Sequence, residues 1–310
     1  MTQYRTIGLF LLLAALWGSA FVAINAGLEY FPPILFAAFR FDIAGLLMLA
    51  YAAYVTDDPF PRTRSGIATV ATGSVLIIAG YHTLLFIGET DPAVTSAIAA
   101  IIVGLSPLLT TGFARIALDD ERLAVPGVIG LVLGFAGVII LAQPDPTNPL
   151  AGRTIPMITV FLAAASFALG SVLTRAIDSN IRIEPMEAWA MLGGAGIMHV
   201  GSVVAGESPG EVIWTAESVL AIGYLAVVAS AVGYLIYFTL LDNLGPIEIN
   251  LVSYVAPVFA ALVGWVVLEE GLTVPTAAGF VIIFTGFVLI KRRAIRAEIH
   301  EYRHSNVSPE

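Results

Sequence analysis

Ten runs of apolar residues follow one another with barely a break: Ile7–Leu28, Ile34–Val55, Ile67–Gly88, Ala93–Ala114, Val125–Ala142, Ile155–Leu173, Met186–Ala205, Ser218–Leu241, Ile247–Leu268 and Val274–Ile290. Most have about the 17 to 25 residues that a helix needs to cross a hydrocarbon core. Backbone groups in lipid must be satisfied within the protein, so a chain of such runs folds as a bundle of helices. Composition agrees. Charged residues make up 12% of the chain and the mean hydropathy is +0.91, where a soluble domain carries about 25% charged residues. The expected fold is an all-α polytopic membrane protein with ten transmembrane helices. Arg5 and Gly18-Ser19-Ala20 around the first run imitate a signal peptide. That run is too long for a signal's apolar core, however, and it has a counterpart in mid-chain. The chain has no cysteine, which excludes disulfides and thiolate chemistry.

The chain writes half of itself twice. Glu121, Pro126, Gly130 and Gly137 recur as Glu270, Pro275, Gly279 and Gly286, each pair 149 positions apart, and Pro107 recurs as Pro257 after 150. Trp17-Gly18-Ser19-Ala20 stands 150 positions before Phe167-Ala168-Leu169-Gly170. Residues 7–142 are therefore read as one five-helix repeat and 155–290 as a second, with 143–154 as a proline-bearing linker and 291–310 as a polar tail. Five crossings is an odd number, so the second repeat lies inverted in the membrane. Arg5, Arg62, Arg64, Arg115, Arg122, Arg175, Arg182, Lys291, Arg292, Arg293, Arg296 and Arg303 fall on one side and only Arg153 on the other. This places both termini in the cytoplasm. Inverted repeats with a site near the midplane are a common plan for secondary transporters.

Within the runs, polar residues are scarce enough to weigh one by one. Arg40 and Asp42 share the second run but leave the helix on different sides, so they are not expected to pair. A core arginine is costly in lipid and must face protein or water. It is either a substrate or gating charge, or a structural group bonded to carbonyls or to a carboxylate such as Glu89 or Asp91. His82 reads as a packing residue or, less often, a proton relay. Pro107 and Pro257 each lack an amide N–H and free the carbonyl four residues earlier, that of Val103 and of Ser253. Gly127, Gly130, Gly134 and Gly137 align on one face, as Gly279 and Gly286 do in the last run, giving a flat groove for helix packing or dimerisation. Glu187 is expected at the interface, and Glu207, Glu211 and Glu217 as a solvated acidic face. Tyr234 and Tyr237 are neighbours on one face, while Asn250 and Tyr254 make a polar stripe beside Pro257.

Other chemistry is declined. His300-Glu301-Tyr302-Arg303-His304 matches a zinc-protease pattern letter for letter, but it sits in a polar tail without a third ligand. No phosphate-binding loop, nucleophile motif or acidic metal cluster occupies the short loops, so no catalytic residue, metal, cofactor or nucleic-acid partner is expected. The net charge is −9 and 13 of the 14 basic residues are arginine. That suits a prokaryotic source in high salt, and equally an arginine-rich genome.

Trp17-Gly18-Ser19, Arg40 within Ala37-Ala38-Phe39-Arg40-Phe41, and two copies of one pattern carry a resemblance. The copies are Pro107, Leu118, Glu121, Leu123, Gly130, Gly137 and Pro257, Leu268, Glu270, Leu272, Gly279, Gly286. The chain resembles the drug/metabolite transporter superfamily, EamA type. Phe167 stands where such proteins often carry tryptophan, and Ala190 stands opposite Arg40. The resemblance implies a plasma-membrane secondary carrier that exports or exchanges small amino-acid-like or drug-like compounds. Its cavity would lie between the halves, with the fifth and tenth helices as scaffold. Wall candidates are Trp17, Asn25, His82, Tyr234, Tyr237, Asn250 and Tyr254, with Arg40 as the functional charge and Pro107 and Pro257 as bending points. The partners are the lipid bilayer, a small-molecule substrate and, as candidate coupling ion, the proton; monomer and homodimer both remain open. The rival readings are a metalloenzyme using the tail histidines and a non-transporting protein that associates through its glycine faces.

Overall fold

The computed structural model describes residues 3–117, 125–177, 179–244, 249 and 251–305. Among these residues the chain forms ten helical rods and no strand. They are α1 Gln3–Gly27, α2 Pro33–Val55, α3 Arg64–Gly88, α4 Ser96–Val103 with Ser106–Ala117, α5 Val125–Ala142, α6 Thr154–Ala176, α7 Ile183–Val204, α8 Ala216–Leu244, α9 Val252–Val267 and α10 Val274–Ser305. Among the described residues six helices are long and apolar enough to cross a membrane, and the stretches Val128–Ala142, Val252–Val267 and Val274–Leu289 are shorter but apolar. The rods follow the ten apolar runs in order. α10 differs from expectation by running past Ile290 to Ser305, so much of the polar tail is helical.

The packing repeats across the halves. α1 lies on α9 as α6 lies on α4, and α3 lies on α7 as α8 lies on α2, while the mates α2 and α7 pack together and α5 packs on α10. Small residues set these approaches, since helices in lipid associate chiefly through close backbone contact. A Cβ on Gly18 would stand 2.8 Å from Phe259 Cβ, and one on Gly279 2.7 Å from Leu141. On Gly286 it would stand 2.6 Å from the Gly130 carbonyl oxygen, and on Gly137 3.1 Å from that of Gly279. The glycine faces of α5 and α10 thus fill each other within one molecule. Gly134 instead meets Leu105 and Leu108 of α4. The surroundings of Gly127 lie outside the described residues, as does Asn250.

The two prolines behave differently from one another. α9 runs through Pro257 as one helix. α4 stops at Val103, turns through Gly104-Leu105 and restarts at Ser106, which puts Pro107 in the first turn of a new segment, where its missing N–H costs nothing. The Ser106 hydroxyl donates to the Val103 carbonyl at 2.7 Å, so the acceptor expected to be free is recaptured. A Cβ on Gly104 would lie 3.2 Å from the Ser253 carbonyl oxygen, the acceptor that Pro257 frees. The break in α4 therefore lies against the carbonyl that Pro257 frees in the unbroken α9.

One feature of the helices was not expected. α3 and α8 each contain a π-helical stretch, Gly73–Gly80 and Tyr224–Val232, at matching places in the two repeats. A π turn widens the rod and leaves carbonyls without their usual partner.

Candidate functional site

α2 is held at its start from the other half of the chain. Glu207, just past α7, accepts the N–H of Ile34 at 3.0 Å and of Leu35 at 2.8 Å. This corrects the reading of Glu207 as a solvated acid: its carboxylate caps a helix N-terminus, where the helix dipole favours negative charge. Glu211 likewise caps a short turn, accepting the N–H of Ser208 at 3.2 Å. Further along α2, Arg40 is 8% exposed and points into the bundle. Its Nε donates to the Ser230 hydroxyl at 3.2 Å, and its guanidinium carbon stands 5.0 Å from the Phe41 ring centre. Ser230 is fully buried and belongs to the π stretch of α8. The groups in electrostatic reach of Arg40 are Tyr81, Tyr234, Glu89 and Tyr224.

α1 supplies the facing wall. Trp17 Nε1 donates to the Ala229 carbonyl at 3.2 Å, an acceptor inside the same π stretch. Its ring stands 5.6 Å from Tyr237 and 6.1 Å from Tyr234, and those two stand 6.2 Å from each other. Ser19 Oγ lies 2.5 Å from the Tyr224 hydroxyl. The residues of Trp17-Gly18-Ser19 thus divide the contacts among them, the indole bonding to α8, the glycine admitting α9 at close range and the serine linking to Tyr224. The other half repeats one of these, because the Ser166 hydroxyl of α6 donates at 2.8 Å to the Leu76 carbonyl in the π stretch of α3. The charge is not repeated. Opposite Arg40 in the repeat is Ala190, which simply fills the space over Gly73, 3.1 Å from where its Cβ would be.

Trp17, Tyr234 and Tyr237 form one aromatic cluster that Arg40 approaches through Tyr234, and the structure adds Ser19, Tyr81, Tyr224 and Ser230. The sequence signal for the additions was weak. Tyr224 and Ser230 lie six apart, a spacing that does not share a face of a regular α-helix, and both belong to the π stretch of α8. His82 is buried beside this group. Its Nδ1 lies 2.9 Å from the Ile78 carbonyl oxygen and its ring is edge-on to Phe41 and Tyr81, which is a packing arrangement. Asn25 is half-buried toward the end of α1. The ring of Tyr254 stands 4.0 Å from Phe287 of α10, and its hydroxyl is buried without a partner. Asp42 leaves α2 on the other side from Arg40, as expected, and pairs with His199 of α7 at 2.7 Å. Glu187, expected at the interface, buries Oε2 without a partner and lies in reach of Tyr234 and Tyr237.

A buried guanidinium among phenol and indole rings can hold a carboxylate or other anion in planar, bidentate fashion while the rings take an apolar body. A separate small niche between α4, α5 and α6, lined by Leu108, Leu131, Phe135 and Phe161, offers no polar group. Among the described residues no three histidine, aspartate or glutamate side chains gather as metal ligands. The side chains of His300 and His304 lie outside the described residues.

Known proteins resemble this chain. A model of the EamA-like transporter family matches residues 5–143 and again residues 154–292. The Escherichia coli K12 protein described as "Uncharacterized inner membrane transporter YedA" is 30% identical over 250 residues, covering 80% of this chain and 78% of that one. Bacillus subtilis YvbV, also described as a transporter, is 28% identical over 300 residues, covering 95% and 94%. A solved structure described only as "Crystal structure of protein" superposes with a TM-score of 0.65 at 21% identity over 96% of this chain and the whole of that one, a likeness of fold.

Proposed function

The chain belongs to the EamA-like transporter family, and on that ground we propose that it is a secondary carrier that exports or exchanges small amino-acid-like or drug-like compounds by alternating access. The observation that carries the reading is the bond from Arg40 of the first half to Ser230 of the second, with Tyr81, Tyr224 and Tyr234 in electrostatic reach of the guanidinium and Trp17 packed on Tyr234 and Tyr237. A substrate carboxylate placed there displaces Ser230 from the guanidinium, and the aromatic rings take the rest of the molecule. The contact it replaces joins the two repeats, so binding and relative movement of the halves are mechanically linked. The meeting of Gly104 with the Ser253 carbonyl supplies a flexible point on each half at the same depth.

The test is flux. Metabolite-wide comparison of membrane vesicles with and without the protein identifies the substrate. Arg40→Ala then abolishes its transport while membrane insertion and yield remain, and Arg40→Lys, which keeps the charge but not the planar fork, retains only part of it. Unchanged flux in Arg40→Ala removes this residue from the mechanism.

A further inference from the structure

Glu89 stands one residue beyond the apolar span Arg64–Gly88, at the C-terminus of α3, and is 2% exposed. Both of its carboxylate oxygens are buried without a hydrogen-bond partner. The charges in reach are Glu270 and Arg40, with Tyr81 on its own helix. Arg40 is already bonded to Ser230. Glu270 is itself fully engaged: it accepts the Ser96 N–H at 2.9 and 3.1 Å and the Ser96 hydroxyl at 2.9 Å. It reaches there because Glu269 adopts a left-handed backbone, φ 56°, which folds the chain back so that the Glu270 N–H meets the Gly264 carbonyl at 3.1 Å. An ionised Glu270 capping α4 is favourable for the same dipole reason as Glu207. An ionised Glu89 would sit at the negative end of α3, beside a second carboxylate and without a donor, and a carboxyl so placed takes up a proton instead.

We infer that Glu89 is a proton-binding site fed from the aqueous phase at this end of the bundle, and that its occupancy governs the Glu270–Ser96 closure between the halves. By the arginine distribution this end is extracytoplasmic. In the closed form a hydronium ion of the aqueous phase gives up the proton: one of its O–H bonds breaks, an O–H bond forms on Glu89 and a water molecule is left. When Glu270 leaves Ser96, water reaches Glu89, the proton returns to it, and two carboxylates in electrostatic reach of each other repel and hold the closure open. The closed form binds the proton more tightly, so it is favoured in acid and lost as pH rises. This rests on the carrier reading only in that the closure opens, and the tests need no substrate, so their failure leaves the carrier reading standing.

The chain is free of cysteine, so single cysteines report cleanly. Proteoliposomes bearing Ala97→Cys, a buried position next to Ser96, are labelled with a membrane-impermeant maleimide across a pH series. Each rate is divided by that of the exposed Ala151→Cys at the same pH to remove thiol ionisation. The normalised rate is expected to rise with pH by up to tenfold per unit, the limit for one proton. It is expected to stay low and flat when Glu89→Gln is added and high and flat with Glu270→Gln. Infrared spectra of the purified full chain at neutral pH should show a protonated-carboxyl stretch that Glu89→Gln removes. A pH-independent rate in the otherwise native chain, an unchanged slope in Glu89→Gln, or the same carboxyl band in both proteins would overturn the proposal. A band abolished by sodium at constant pH would replace the proton with a metal cation.

Discussion

Gly286→Ala tests the packing on which the two-repeat architecture rests. The added methyl would lie 2.6 Å from the Gly130 carbonyl oxygen, and the next nearest atoms are Leu133 Cβ at 3.3 Å and the Gly130 carbonyl carbon at 3.4 Å. The obstructing atom is backbone, so no side chain can rotate away; α5 and α10 must part by about 0.4 Å merely to reach the 3.0 Å below which Cβ contacts are essentially not seen. Overpacking of this kind costs about 1–3 kcal/mol. Replacing a helical glycine by alanine also returns about 1 kcal/mol of helix propensity. Gly196→Ala on α7, where nothing lies within 4 Å of the new methyl, gains the second effect without the first. Gly286→Ala is thus expected to be less stable than Gly196→Ala by about 1–3 kcal/mol, read by thermal unfolding of detergent-solubilised protein through its four tryptophans. Equal stability of the two variants would refute the contact. A change of oligomeric state in Gly286→Ala with unfolding unaltered would show that the glycine faces meet between molecules rather than within one.

Glu207→Ala removes both acceptors at the start of α2 and should lower unfolding stability by about 1–2 kcal/mol, with Glu207→Gln losing less; the same unfolding measurement decides. Trp17→Phe keeps a ring against Tyr234 and Tyr237 but loses the bond to Ala229, an expected loss of about 0.5–1.5 kcal/mol, whereas Trp17→Ala loses the ring as well and should be worse. Ser106→Ala leaves the Val103 carbonyl unpaired at the break in α4 and should cost about 1–3 kcal/mol. If it is neutral, the break is not held by that hydroxyl.

The linear order of residues was enough for the membrane class, for ten helices and for the duplication, because each is written as a period or an offset along the chain. Lipid cannot satisfy a backbone, so apolar length translates directly into helices. Glycines at equal offsets point to equivalent packing faces. The rarity of charge in the runs singled out Arg40, and the tyrosine spacing in the eighth run paired Tyr234 with Tyr237. Proximity of Tyr254 to Pro257 along the chain says nothing about which neighbour packs on its ring; Phe287 does.

What the three-dimensional arrangement alone decided is the set of partners. Glu207, Glu211 and Glu217 read as one acidic surface, yet Glu207 reaches across the halves to the amides of α2, a donor pair some 170 residues away along the chain. Ser230 became the counterpart of Arg40, and the Ala229 carbonyl the acceptor for Trp17, within the π stretch of α8, which no residue spacing announced. Glu89 and Glu270 come within electrostatic reach of each other although 181 residues separate them along the chain. Hydrogen bonds and burial depend on distance through space, whereas periodicity and hydropathy are properties of the chain itself, so the second kind is legible in advance and the first is not.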